Sequence, residues 1–262
     1  MTAKPTVLIT GASSGIGAVY ADRFAHRGHD LVLAARDLFR LDALAARLRA
    51  ETGVSVETVR ADLTVAEDLA RIETWLRNDA TIGVLVNNAG AALAGDFLSQ
   101  SADDAAGLIA LNITAVTRLA SAVAPRFAAA GGGAIINIGS IVGLAPELGM
   151  TVYGATKAFV LYLTQGLNLE LGPKGVYAQA VLPAATRTEI WERSGRDVNA
   201  LTGVMDVEEL VDAALVGFDR RETVTIPPLP DASQWAAFDA ARIAMLPNFR
   251  QEHPAQRYQA AA

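Results

Sequence analysis

Thr10-Gly11-Ala12-Ser13-Ser14-Gly15-Ile16-Gly17 follows directly on the apolar run Val7-Leu8-Ile9. Glycines entered from a β-branched segment and left through a helix-like one, Gly15 to about Arg27, read as a strand–turn–helix junction. Such a turn suits a pyrophosphate. Glycine lets the backbone come close, and a helix start offers unpaired N–H groups and the positive end of its dipole. Ser13 and Ser14 add hydroxyl donors. A tight connection that merely needs left-handed backbone angles uses the same glycines, so the turn alone leaves both readings open.

Further along, short apolar runs alternate with longer alanine- and leucine-rich segments. Strands are expected at Leu31-Val32-Leu33, Val54–Val59, Val84–Val86, Ile135–Ile138, Val176–Val181 and Val224–Ile226. Between the second and third of the seven runs, Leu38, Leu41, Leu44, Ala45 and Leu48 mark one helical face. Alternation of this kind predicts right-handed βαβ units and a mainly parallel, doubly wound sheet with helices on both faces, a Rossmann-type α/β fold. The strands are nearly continuous in apolar residues, as a sheet covered on both sides requires. No repeat or low-complexity linker divides the chain, so residues 1–262 read as one domain. Prolines 227, 228 and 230 precede a last expected helix at Trp235–Met245. The polar tail, 247–262, is expected to be loosely ordered or to serve a subunit contact.

Composition narrows the chemistry. A net charge of −6 disfavours nucleic acid. With no cysteine, disulfides, thiolate zinc sites and cysteine nucleophiles are ruled out, which fits a cytoplasmic protein. The histidines, His26, His29 and His253, are scattered and suggest no metal site. The uncharged stretch from Phe127 to Pro146 contains three consecutive glycines and Asn137, a poor lipid-facing helix, so a soluble protein without a membrane partner is expected.

Tyr153-Gly154-Ala155-Thr156-Lys157 sets a phenol and an ammonium one helical turn apart. A nearby cation favours the ionised phenol, so such a pair can act as a general acid/base near neutral pH. In isolation the pattern is far more often that of a surface tyrosine beside a solvated lysine. Here Ile135-Ile136-Asn137-Ile138-Gly139-Ser140 reads as a buried strand delivering Ser140 at its carboxyl end, where α/β sheets bind ligands. Asn87-Asn88-Ala89-Gly90 ends another strand, and Asn112 stands in Leu111-Asn112-Ile113. In order and spacing, these motifs together with the glycine-rich turn resemble the short-chain dehydrogenase/reductase family over nearly the whole chain.

The resemblance implies a nicotinamide-dependent oxidoreductase interconverting a ketone or aldehyde and an alcohol. Tyr153 would exchange the proton on the substrate oxygen. Lys157 would hold the nicotinamide ribose and depress the tyrosine pKa, Ser140 would hydrogen-bond the reacting oxygen, and Asn112 would support a water leading from Lys157. The implied cofactor cradle comprises Gly11, Ser13, Ser14, Gly15, Ile16 and Gly17, then Asp62 and Leu63 beside the adenine, then Asn88, Ala89 and Gly90. Tyr153 and Lys157 belong to it too. Where NAD-using relatives place an acid, this chain has Ala35 followed by Arg36, which suits the 2′-phosphate of NADPH. Asp37 follows, and a small register shift would bring it to the ribose, which leaves NADH open. Retention of Tyr153 and Lys157 speaks against the alternative of a catalytically silent nicotinamide sensor.

The family's proline-glycine after the sixth strand is here Pro183-Ala184, with Thr186 and Thr188 expected toward the carboxamide. Residues 187–215 are the expected substrate loop. Within it Trp191 either lines an apolar pocket or packs the loop onto the body, and Leu144, Leu148 and Met150 suggest apolar walls. Arg187 or Arg193 would change that picture if turned inward. A homodimer or homotetramer is the family's habit, and Tyr162 and the helices around Asn112 and Tyr153 would supply the contact.

Overall fold

The computed structural model describes residues 4–93, 95–195 and 197–259, and the side chain of Arg193 lies outside what is described. By its contacts the chain separates into two compact units, Met1–Pro228 and Leu229–Ala262. The sequence reading carried one domain through residue 262. The division falls in the proline-rich stretch after the last strand, where missing N–H groups prevent a regular element from continuing.

The first unit is built on seven parallel strands: β1 (Thr6–Thr10), β2 (Leu31–Ala35), β3 (Val56–Arg60), β4 (Ile82–Asn87), β5 (Gly133–Ile138), β6 (Val176–Val181) and β7 (Val224–Thr225). Their spatial order is β3-β2-β1-β4-β5-β6-β7. After β3 the chain therefore returns to pair β4 beside β1, and the carboxyl ends of β1 and β4 flank the point where the winding reverses. A crevice opens at such a point in doubly wound sheets.

Both faces of the sheet are buried. On one, Val7 and Ile9 of β1 pack with Tyr20 and Phe24 of α1 (Gly15–His26), Leu41 and Leu48 of α2 (Leu38–Thr52), and Leu215 near the carboxyl end of the chain's first unit. On the other, Leu8 packs with Ile72 and Leu76 of α3 (Ala66–Asn78) and with Leu119, Val123 and Phe127. The inner strands are nearly continuous apolar runs for this reason, whereas β3 at the sheet edge carries Glu57 and Arg60. A long helical run, Ala102–Ala130, comprises α4 (Ala102–Ile109), a π-helical segment (Ala110–Ala115) and α5 (Val116–Ala130). By length and composition alone it could cross a membrane. Here Leu119, Val123 and Phe127 along it pack into the sheet's core.

Strand limits differ from expectation where polar side chains are satisfied by tertiary contacts. β4 extends through Asn87 because its amide donates to Asn137 of β5 at 2.9 Å, and Asn137 donates on to Thr164 at 2.9 Å. β7 stops at Thr225, short of Ile226 and Pro227. The expected substrate loop, 187–215, is also shorter. Asp206 caps α8 (Val207–Asp219), accepting from Glu208 N at 2.8 Å, and Leu210, Val211, Ala214 and Leu215 are buried. The loop thus ends at 206, and among its described residues are the short α7 (Ile190–Arg193) and a 3-10 turn at Val198–Ala200.

In the second unit, α9 (Ala232–Ala244) starts ahead of the expected Trp235 because Asp231 caps it, accepting from Ser233 N at 2.8 Å. Trp235 and Phe238 stack at 5.5 Å, and 3-10 turns follow at Leu246–Arg250 and Gln256–Tyr258.

Candidate active site

At the reversal point the glycine-rich turn is tied to the end of β4. Thr10 Oγ1 accepts from the amides of Asn88 and Ala89, each at 3.1 Å. The Asn88 side chain donates to the carbonyls of Thr10 at 2.9 Å and Gly11 at 3.1 Å. The Asn88 amide nitrogen is thereby spent on holding the turn open. Two glycines are obligatory for that closeness. Gly11 has a φ of 66°, and a Cβ on Gly17 would lie 2.4 Å from both Asn88 Nδ2 and the Gly11 carbonyl oxygen. Gly17 therefore acts beneath the turn, whereas Gly11, Ser13, Ser14, Gly15 and Ile16 line the cleft above it.

That cleft is about 960 Å³. One end is formed by Arg36, Asp62 and Leu63, the middle by Asn88, Ala89 and Gly90, and the far end by Ser140, Tyr153, Lys157, Pro183, Thr186 and Thr188. Its size, the glycine turn and the N-terminus of α1 at its base fit an extended nicotinamide dinucleotide with room for a second molecule.

The chemistry at the far end comes from three elements. Ser140 follows β5 and caps the 3-10 turn Ile141–Gly143; its hydroxyl accepts from Val142 N at 3.2 Å. Tyr153 stands in the first turn of α6 (Thr151–Leu171), and Lys157 one turn on. The Lys157 Nζ lies 5.6 Å from the centroid of the Tyr153 ring and donates to the Ile138 carbonyl at 2.8 Å. Burial pushes the lysine down to about 8. Burial also raises the Tyr153 phenol to about 12, and the interaction drawing it back down is the hydrogen bond with Ser140. The sequence reading gave that lowering to Lys157. In this cleft the half-buried phenol feels desolvation first, and Lys157 is not among the groups that shift it.

Asn112 does not reach the cleft. It lies in the π-helical segment, buried, where the widened turn directs its amide at the loop after β4. Asn112 Nδ2 donates to Ala91 O at 3.0 Å and to Thr156 Oγ1 at 3.1 Å, and its Oδ1 accepts from Ala91 N at 3.0 Å. Thr156 in turn donates to the Tyr153 carbonyl at 2.7 Å. Gly90 fills the narrow space between: a Cβ there would lie 3.3 Å from Asn112 Oδ1 and 3.5 Å from Lys157 Nζ. Thr156 is the residue sequence reasoning passed over. Its signal, a hydroxyl beside the lysine, carries meaning only once Asn112 is brought to it.

At the adenosine end, Asp37 lines the cleft beside Arg36. Its carboxylate caps α2, accepting from Arg40 N at 3.0 Å, and pairs with Arg40 Nε at 3.4 Å. Arg36 is exposed on the cleft wall. Burial works to raise the Asp62 carboxyl, but hydrogen bonds from Thr64 and the charges of Arg36 and Arg60 hold it below its ordinary value.

Over the cleft, Thr188 packs on Gly15, whose Cβ would come within 3.2 Å of it. Thr186 is buried and turns its hydroxyl onto Ala184 O at 3.0 Å. Trp191 both lines the cleft and anchors the loop, its indole donating to Thr186 O at 2.7 Å. Arg187 is bound to Asn199 Oδ1 at 3.1 Å, and the Arg193 side chain lies outside the described residues.

The family model of the short chain dehydrogenases matches residues 5–199. The chain belongs to the short-chain dehydrogenase family. It is an oxidoreductase. Among solved structures, a short-chain dehydrogenase from Sphingobium yanoikuyae in complex with NADPH is 67% identical, with a TM-score of 0.96 over 97% of this chain and 100% of that one. A bulky-bulky ketone specific alcohol dehydrogenase from Comamonas testosteroni is 61% identical, with a TM-score of 0.92 over 98% and 99%. Among curated short-chain dehydrogenases, very-long-chain 3-oxoacyl-CoA reductase-A of Danio rerio is 34% identical over 187 residues, 70% of this chain but 58% of that protein. The chain thus spans less than two thirds of that curated relative.

Proposed function

We propose that this enzyme reduces ketones carrying bulky apolar groups, and oxidises the corresponding alcohols, with NADPH as cofactor. The observation that carries this reading is the convergence of Ser140, Tyr153 and Lys157 at one end of a cleft whose other end presents Arg36. Arg36 would meet the 2′-phosphate with a fork of donors, while the Asp37 carboxylate beside it is engaged as a helix cap. The NADPH complex of the Sphingobium relative supports the same choice.

The bound cofactor supplies the hydride, and the chain supplies everything else. Ser140 and the Tyr153 hydroxyl together hold the substrate oxygen, so that charge developing there meets donors already in place. Tyr153 gives its proton to that oxygen during reduction and takes it back during oxidation. Lys157 would hold the nicotinamide ribose hydroxyls and orients Tyr153 from one helical turn away. Asn112 acts through Thr156 and the Ala91 loop, fixing the ground on which the pair stands.

The substrate wall is Ile141, Val142, Leu148, Met150, Ile190, Trp191 and Leu201. Among the described residues lining the cleft, the cations are Arg36 and Lys157, both assigned to cofactor or catalysis. A coenzyme A thioester, rich in phosphate, finds no partner on that wall. An uncharged ketone with a large group on each side does, and the Comamonas relative's specificity supports it. Exposed Tyr162 and Leu169 on α6 support a homodimer or homotetramer within the same reading.

The test is NADPH oxidation followed by absorbance with ketones of graded bulk beside 3-oxoacyl thioesters. Turnover rising with bulk supports the proposal. Preference for the thioesters would overturn the substrate class, and tight NADPH binding without any turnover would favour a sensor.

A further inference from the structure

The turn carrying Ser140 and the helix carrying Tyr153 and Lys157 interlock through two glycines. Gly143 ends the turn, and a Cβ there would come within 2.6 Å of the Ala158 amide nitrogen and 2.7 Å of the Lys157 carbonyl carbon. Both are backbone atoms inside a helix, so neither can yield as a flexible side chain would. From the other side, a Cβ on Gly154 would lie 3.1 Å from the Val142 carbonyl oxygen and 3.2 Å from Val142 Cγ1. Neither glycine has a positive φ. What each position excludes is the volume of a side chain, not a backbone angle.

Within the turn, Ser140 and Gly143 move as one piece. Gly143 N donates to Ser140 O at 3.1 Å, and Val142 N donates to the Ser140 hydroxyl at 3.2 Å. The start of the turn is fixed to the loop after β6, where Ile141 N donates to Pro183 O at 3.0 Å.

We propose that Gly143 is a positioning residue of this enzyme: lacking a side chain, it seats the turn on the α6 backbone at Lys157 and so sets the distance from the Ser140 hydroxyl to the Tyr153 phenol. The inference rests on the catalytic reading of Ser140, Tyr153 and Lys157 given above. A methyl group at 143 must lift the turn, because a close-packed interior offers it no other volume. Ser140 leaves with the turn, while Tyr153 and Lys157 stay on their helix. The glycine-rich turn and Arg36 lie on other elements, so nucleotide binding is spared.

The experiment uses the full chain and compares Gly143→Ala, Ser140→Ala, the double variant and Tyr153→Phe. Gly143→Ala should lower kcat roughly tenfold to a hundredfold, the scale of a sub-ångström to ångström misplacement, with the NADPH Kd within about twofold of the parent. In the Ser140→Ala background the same change should cost little more, because residues acting as a unit are not additive. A merely structural role would instead slow both backgrounds alike. Parent-like kcat in Gly143→Ala, or full additivity with Ser140→Ala, would overturn the inference while an inactive Tyr153→Phe left the catalytic reading standing. Should Tyr153→Phe retain turnover, the catalytic reading falls and this inference with it. Should Gly143→Ala fail to fold, Gly154→Ala replaces it, with a smaller kcat loss expected and the same non-additivity required.

Discussion

Lys157 donates its ammonium to the carbonyl of Ile138 at 2.8 Å, so the helix that carries the candidate acid is fastened to the end of the strand that delivers Ser140. The contact spans 19 residues of sequence and leaves the ammonium buried. A buried cation with a carbonyl as its partner is charged at some expense, and burial brings its pKa to about 8.

That value has a sign that can be read in solution. Lys157 is protonated below about 8 and neutral above it. Only the ammonium keeps a full set of donors for Ile138 and for ribose hydroxyls, so kcat/KM for ketone reduction should fall through one ionisation near that pH. Lys157→Met should lose this limb together with most of the activity. A profile flat for about two units beyond would assign the alkaline limb to another group.

Stability carries the same group in the opposite direction. Between about 8 and the ordinary value of 10.5, the unfolded chain binds more protons at this lysine than the folded one. Its contribution to stability therefore rises with pH across that window. Urea unfolding of the parent and of Lys157→Met, across the window, should show the rise in the parent alone.

Tyr153→Phe removes the proton donor and keeps the ring that lies beside Lys157. Turnover should drop by roughly 10²–10⁴-fold, the range of a general acid, with NADPH affinity nearly intact. Steady-state rates and fluorescence titration separate the two. Substantial residual turnover would remove Tyr153 from the mechanism.

Arg36 and Asp37 are adjacent and should respond differently. Arg36→Ala should weaken NADPH far more than NADH. Asp37→Ala should cost about 1 kcal/mol of stability, as loss of a helix cap does, and, by removing a negative charge from the cleft wall, shift the preference further toward NADPH. Equal losses for both nucleotides in Arg36→Ala would reverse the cofactor assignment.

Arg40 of α2 holds Glu189 on the cleft wall, its Nη1 donating to Glu189 Oε1 at 2.7 Å and Oε2 at 2.8 Å. Both side chains are substantially exposed, at 46% and 38%, so the pair is worth about 0.2–1 kcal/mol. Arg40→Ala should speed NADPH dissociation by no more than about fivefold, and less in high salt. Stopped-flow displacement reads it, and an unchanged rate at low salt would show that the bridge does not restrain the loop.

The chain's own pattern determined the fold. Seven apolar runs separated by helical segments admit little besides a parallel sheet covered on both faces, and turn chemistry marks where β1 hands over to α1. These are short-range properties, legible within ten or fifteen residues. Which residues could belong to a site was legible too, since Ser140, Tyr153 and Lys157 stand in local motifs. What those groups experience was decided only by the tertiary structure. Asp37 leaves a ribose contact open in sequence until α2 is placed behind it and its carboxylate becomes the cap. Asn88 lines the cleft, and only when β1 and β4 are brought side by side does its amide nitrogen become the tie between them. Asn112 acquires its partners from a widened helical turn that no periodicity announces. Desolvation of Lys157, the Ser140 hydrogen bond to Tyr153 and the contact of Gly143 with α6 depend on distances between segments far apart in sequence. Such distances are fixed by packing the whole sheet and its helices, and no local pattern encodes them.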